Sequence, residues 1–191
     1  MNLRKILLLT LILQAAALPA SAAEPFDITA CATVTAADAE KFIGAPLDVN
    51  KIDRKIMLNA PWTHDSLCTY LPQGVTSDDP TEIARFLDVS LRFFPTVEAA
   101  QAIHQVTLEQ FRKMAGSPEA PFKIIAITPL EGLSASAFYI ELQADPQSDY
   151  KSAQITFVKG TIGGAVSAWK KPESSLDLSK TVLQHVLAKL P

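Results

Sequence analysis

Three adjacent residues, His64-Asp65-Ser66, contain the side-chain types of a hydrolytic triad. A triad needs its three groups to converge in space, and neighbours on an extended segment point to opposite sides. The stretch therefore reads as a polar turn leading into a strand. His64, His104 and His185 are far apart in the chain, and none has a partner at metal-ligand spacing. His104 and His185 fall at the margins of helical apolar faces, where packed or half-exposed histidines are common. Asp78-Asp79 reads as a solvated acidic turn. The Gly-x-Ser-x-Gly, His-Glu-x-x-His, phosphate-loop and EF-hand patterns do not occur. Gly160-Thr161-Ile162-Gly163-Gly164 lacks dinucleotide spacing and suits a hairpin. Paired carboxylates for glycoside hydrolysis would come from distant strands, and no pair stands out. The sequence thus nominates no catalytic residue, no metal ligand and no cofactor.

Two tryptophans suggest recognition instead. Trp169 precedes Lys170 and Lys171, and Trp62 sits between Pro61 and His64. Aromatic rings with cationic tips can form a rim for anions, sugars or peptides. That reading expects Trp62, Trp169, Lys170 and Lys171 to lie together and exposed. The alternative is that both indoles pack at the edge of the core.

The chain begins with an address. Met1 to Lys5 carries two positive charges, Ile6 to Leu18 is uncharged and mainly apolar, and Ala20-Ser21-Ala22 supplies the small residues of a cleavage site. This pattern predicts a secretory signal peptide over residues 1–22, cut after Ala22 or Ala23. The apolar run is shorter than the roughly 20 residues a membrane span needs. Ile28-Thr29-Ala30-Cys31 resembles a lipobox, but Glu24, Pro25 and Asp27 separate it from that run. Lipidation of Cys31 and an uncleaved anchor are the alternatives. No later segment is apolar enough to span, so the mature chain is expected to be soluble, in a periplasm or secreted. Loss of Arg4 and Lys5 takes the formal charge from −3 to −5, which argues against nucleic acid as a partner.

Export decides how the two cysteines read. In an oxidising compartment Cys31 and Cys68 most simply form one disulfide. The closed loop of 38 residues corresponds to about 4 kcal/mol of chain entropy.

The elements that must position these residues follow from pattern. Thr35-Ala36-Ala37-Asp38 is a capping box, and Gly44 a stop, for a helix over 36–43. Residues 45–62 look irregular. A short strand over 66–71 holds Cys68 and Tyr70. Phe86 to Phe94 alternates, with Leu87, Val89, Leu91 and Phe93 on one side and Asp88, Ser90 and Arg92 on the wetter one. A helix over 97–115 follows. Strands are predicted over 122–127, 135–143, 153–158 and 161–169, with Gly163-Gly164 marking a bulge or close backbone approach. Ser175 starts a closing helix whose core face is Val182, Leu183, Val186, Leu187 and Leu190. The expected fold is α+β. Residues 23–191 would form a single domain, with a mainly antiparallel sheet of five to six strands under three amphipathic helices.

The layout resembles small secreted domains of unknown function found among bacterial, especially actinobacterial, lipoproteins. The residues that carry the resemblance are Cys31, Thr35 to Asp38, Gly44, Cys68-Thr69-Tyr70, Gly132-Leu133 and Leu183 to Leu190. It supports the fold and the disulfide, and implies no activity. The expected function is a non-catalytic binding or interaction module of the cell envelope, taking a protein, peptide or small ligand. A small periplasmic hydrolase with a fold-assembled site, or a carrier of a small hydrophobic ligand, are the alternatives.

Overall fold

The computed structural model describes residues 28–55, 60–74, 85–115, 117, 123–143, 151–170 and 175–191. The proposed signal peptide and the Asp78-Asp79 turn lie outside these residues.

Seven strands form one antiparallel sheet in the order β1-β2-β3-β7-β6-β5-β4. They are β1 Leu47–Lys55, β2 His64–Pro72, β3 Arg85–Phe93, β4 Lys123–Leu130, β5 Ser136–Gln143, β6 Lys151–Lys159 and β7 Ile162–Lys170. The helices are α1 Ala30–Thr33, α2 Ala36–Ile43, α3 Val97–Ala115 and α4 Ser175–Lys189. The α+β class stands, with one strand and one short helix more than expected. β1 occupies residues that read as irregular. It is an edge strand with one neighbour and charges on both sides, so it carries no clean alternation; Val49 is 44% exposed. α1 spans four residues, too few to show a period. Pro129 lies inside β4 and is tolerated because β4 is the opposite edge.

The strands make two meanders, β1–β3 and β4–β7, joined where β3 pairs with β7. After β3 the chain must reach the far edge, and α3 makes that crossing, packing on β7, β6 and β4. This long connection therefore sets which meander lies beside which.

On the first face of the sheet, Leu87, Val89 and Leu91 of β3 are fully buried with Cys68, Tyr70, Ile155, Phe157 and Val166. α1 and α2 cover its β1–β3 half, and α4 covers β6 and β7. α4 presents Val182, Leu183, Val186 and Leu187, all buried, as its 3.6-residue period requires. Lys159 Nζ donates to the carbonyls of Leu187 at 3.1 Å and Leu190 at 2.7 Å, satisfying the end of α4.

The leading helices are tied down by several bonds. A Cys31–Cys68 disulfide joins α1 to β2, with Cα atoms 5.2 Å apart. Ser66 Oγ accepts from the Ala30 amide at 2.8 Å, and the Tyr70 hydroxyl donates to the Val34 carbonyl. Thr35 caps α2 in the expected box with Asp38, and Gly44 ends it at φ 77°.

The glycine pair in β7 behaves as a close approach and not as a bulge, since the registers with β3 and β6 are continuous there. A Cβ on Gly164 would collide with the Ser90 carbonyl oxygen and lie 2.7 Å from Phe157 Cζ. Phe157 lies across this backbone, so only glycine fits.

Candidate functional site

The second face of the sheet is covered unevenly. Its β4–β6 half lies under α3, where Ile124, Phe138 and Ile140 are buried with Leu108, Phe111 and Met114 against them. Beside it Phe94, Ala100 and Val158 form a smaller cluster with Trp62, Ala99 and Ile103. Over β1, β2 and β3 no described helix makes comparable packing on this face.

Strand register sets out the rows of this face. Thr69, Asp88, Ser167 and Gln154 form one cross-strand row, because directly paired residues share a face. The next row is Leu67, Ser90, Ala165, Thr156 and Phe138. Asp65 stands opposite Arg92 in the row beyond. Over β2, β3 and β7 these rows carry Thr69, Asp88, Ser90 and Ser167 with Leu67 and Ala165, and from β6 onward they run beneath α3.

Asp88 is the unusual member. Its Oδ1 is shielded from solvent and has no hydrogen-bond partner. Burial pushes its carboxyl up to about 6, and a hydrogen bond from Thr69 only partly opposes this. The Thr156 hydroxyl, on a residue 6% exposed, is also shielded and unpartnered. Native proteins pair almost all such groups, so each one calls for a cause. Ser90 is engaged, its Oγ accepting from the Ala165 amide at 3.2 Å.

Trp62 closes one end of the strip. It is half-buried, edge-on to Phe94 with ring centroids 6.3 Å apart, and Arg92 lies over its ring at 4.6 Å. Its indole Nε1 is shielded without a partner. The backbones of Trp169 and Lys170 belong to β7, and Trp169 pairs with Phe86 at the start of β3, whereas Trp62 packs on Phe94 past its end. Seven residues of strand from Phe86 to Phe93 separate the two sites by about 23 Å. The side chains of Trp169 and Lys170, and all of Lys171, lie outside the described residues. The expected rim of Trp62, Trp169, Lys170 and Lys171 thus rests on side chains outside the described residues, and among the described ones Trp62 pairs with Arg92.

The histidines do not assemble a site. His64 Nδ1 lies 2.8 Å from Thr63 Oγ1, and His64 and Ser66 share one face of β2 while Asp65 takes the other. His104 sits on Phe138, centroids 4.9 Å apart, and burial lowers its pKa. Its contact is on β5, so roughly three strand spacings, about 14 Å, separate it from Asp88 on β3. His185 Nε2 lies 3.3 Å from Asp38 Oδ2, but that carboxylate is the acid of the α2 capping box. Thr35 donates to it through Oγ1 at 2.8 Å and through its amide at 3.1 Å, and Lys189 Nζ is 3.3 Å away. These bonds, led by the Thr35 hydroxyl, hold Asp38 well below the usual carboxylate range. The hydroxyl is bonded to the acid and not to the imidazole, so the three do not form a nucleophile–imidazole–acid relay. Among the described residues no three His, Cys, Asp or Glu form a metal cluster.

The sequence put Asp88 on the wetter side of the best strand and drew nothing from it. The available signal was an aspartate in the middle of that strand, between two buried apolar residues, where its type is disfavoured.

No protein-family model and no curated protein sequence matches this chain. Among solved structures, the crystal structure of the extracellular domain of PknH from Mycobacterium tuberculosis is similar. Its TM-score is 0.61 at 10% sequence identity, covering 83% of this chain and 92% of that one. At that identity the likeness is one of fold.

Proposed function

We propose that this chain is an exported, non-catalytic recognition domain of the bacterial cell envelope, with its ligand on the second sheet face over β2, β3 and β7. One observation carries the reading: a polar strip across β2, β3 and β7 holds a shielded, unpartnered carboxylate oxygen beside an apolar helix. Binding sites characteristically place a few convergent polar groups against apolar walls. The disulfide, the signal-like leader and a fold similar to an extracellular domain support export. On the first face Tyr70, Phe157, Leu183 and Val166 are buried in one apolar cluster, and the carboxylate beside His185 belongs to a helix cap.

Amide NMR shifts, collected while a fragment library is titrated in, test the site. Shifts gathered on Thr69, Asp88, Ser90, Arg92 and Ser167 are expected. Shifts confined to α1, α2 and α4 would reject it. For export, the protein recovered from outside the cytoplasm should begin at Ala23 or Glu24 by mass spectrometry.

A further inference from the structure

The two long helices hold the sheet very differently. α4 buries six of its 15 residues, and Val182, Leu183, Val186 and Leu187 belong to the large first-face cluster. α3 is longer, at 19 residues, and buries only Ala100. Its inward positions Ile103, Leu108, Phe111 and Met114 are half-buried, against two clusters of three buried residues each. Val97, Ile103, Val106 and Thr107 are β-branched, which lowers helix propensity. The Thr107 hydroxyl donates back to the Ile103 carbonyl at 2.8 Å, a bond that slightly weakens a helix. Helices in proteins draw most of their stability from the packed face, so α3 belongs to the low-stability end of this fold.

His104 stands in the middle of that half-buried face. Its ring lies on Phe138 of β5, with centroids 4.9 Å apart. Register places Ile127 and Pro129 of β4, Ile140 of β5, and Gln154, Thr156 and Val158 of β6 around Phe138 on this face, and none of them ionises. The ionisable residues of the same face on β2 and β3, Asp65, Asp88 and Arg92, are three or more strands away. The charged residues of α3 itself, Glu98, Glu109, Arg112 and Lys113, are exposed. Burial is therefore the cause that lowers the His104 pKa. Lifting α3 returns the imidazole to water, where its charged form is stable. The open form then binds protons more readily than the closed one. It gains as pH falls below the ordinary histidine value and loses that advantage as pH rises.

We infer that α3 is a separately opening lid over β4–β6, released when His104 takes up a proton. Its opening bares Ile124, Phe138 and Ile140, which the closed form covers. The device is independent of any ligand on β2, β3 and β7.

Amide hydrogen exchange on the whole protein tests it, read by mass spectrometry between about pH 7.5 and 5.5 and corrected for intrinsic rates. Amides of residues 103–113 are expected to be protected about 100-fold less than those of residues 182–187. The ratio of α3 to α4 protection should fall several-fold further at the lower pH. In His104→Gln the ratio should stay level across that range, while His64→Gln on β2 keeps the wild-type response. If His104→Gln does not fold, the imidazole proton signal of His104 in the wild type replaces it, and should titrate at lower pH than in the urea-unfolded chain. Equal protection in α3 and α4 overturns the lid. An undiminished pH response in His104→Gln overturns the part given to His104, as does a His104 signal that titrates as it does in urea.

Discussion

On β3, alternate residues meet two different environments. Leu87, Val89 and Leu91 are fully buried beneath helices and a disulfide, whereas Asp88, Ser90 and Arg92 face a strip that α3 borders on one side. The first face gains stability from continuous apolar packing, since each side chain there touches others from both layers. On the second, among the described residues, helix packing comes from α3 over β4, β6 and β7, while β2 and β3 carry Thr69, Asp88 and Ser90. A single strand can therefore serve as core on one side and as a presenting surface on the other, because its side chains alternate strictly.

The largest expected effect tests the contrast in packing. Leu183→Ala, in the buried face of α4, should cost about 2–5 kcal/mol by denaturant unfolding. Leu108→Ala on half-buried α3 should cost about 1–2 kcal/mol. Equal losses would erase the distinction between the faces. Next comes the covalent tie: Cys31→Ser with Cys68→Ser should cost about 2–4 kcal/mol, and free-thiol titration of the unreduced wild type should find close to none. Tyr70→Phe strands the Val34 carbonyl and should cost about 1–3 kcal/mol.

A fourth test has the opposite sign. Asp88 holds its proton more tightly folded than unfolded, near 6 against 3.8. The folded state thus binds more protons between those values, and the contribution of Asp88 to stability falls as pH rises through that window. Asp88→Asn should raise stability at pH 8 by about 1–2 kcal/mol and flatten the pH dependence between 4 and 6. A destabilised variant would mean the ionised carboxylate has a structural partner. The smallest effect is expected at the rim: Arg92→Ala, which removes an exposed cation from the Trp62 ring, should change stability by less than about 1 kcal/mol.

Much of the first face was legible in the chain. The capping box at Thr35 and Asp38, the Gly44 stop, the Cys31–Cys68 pairing, the α3 span and the α4 core face are written in local spacing, and each was found where read. β1 was not legible, because an edge strand with charges on both sides shows no period. The site was not legible either. Thr69, Asp88, Ser167, Gln154 and Thr156 come from four strands of the two meanders, and nothing in the linear order says that β3 pairs with β7. The same pairing sets the backbone of Trp169 about 23 Å along β3 from the end where Trp62 packs.

Local order determined where helices cap, which side of β3 is apolar, and that two thiols would meet. Those outcomes depend on neighbours within a few residues, or on there being a single partner to choose. Tertiary structure decided which strand lies beside which, and hence which polar groups share a row. That choice follows from α3 carrying the chain to the far edge, so that the second meander returns to β3. Asp88 becomes distinctive only then, because shielding of one oxygen depends on everything packed around it and on very little beside it in the chain.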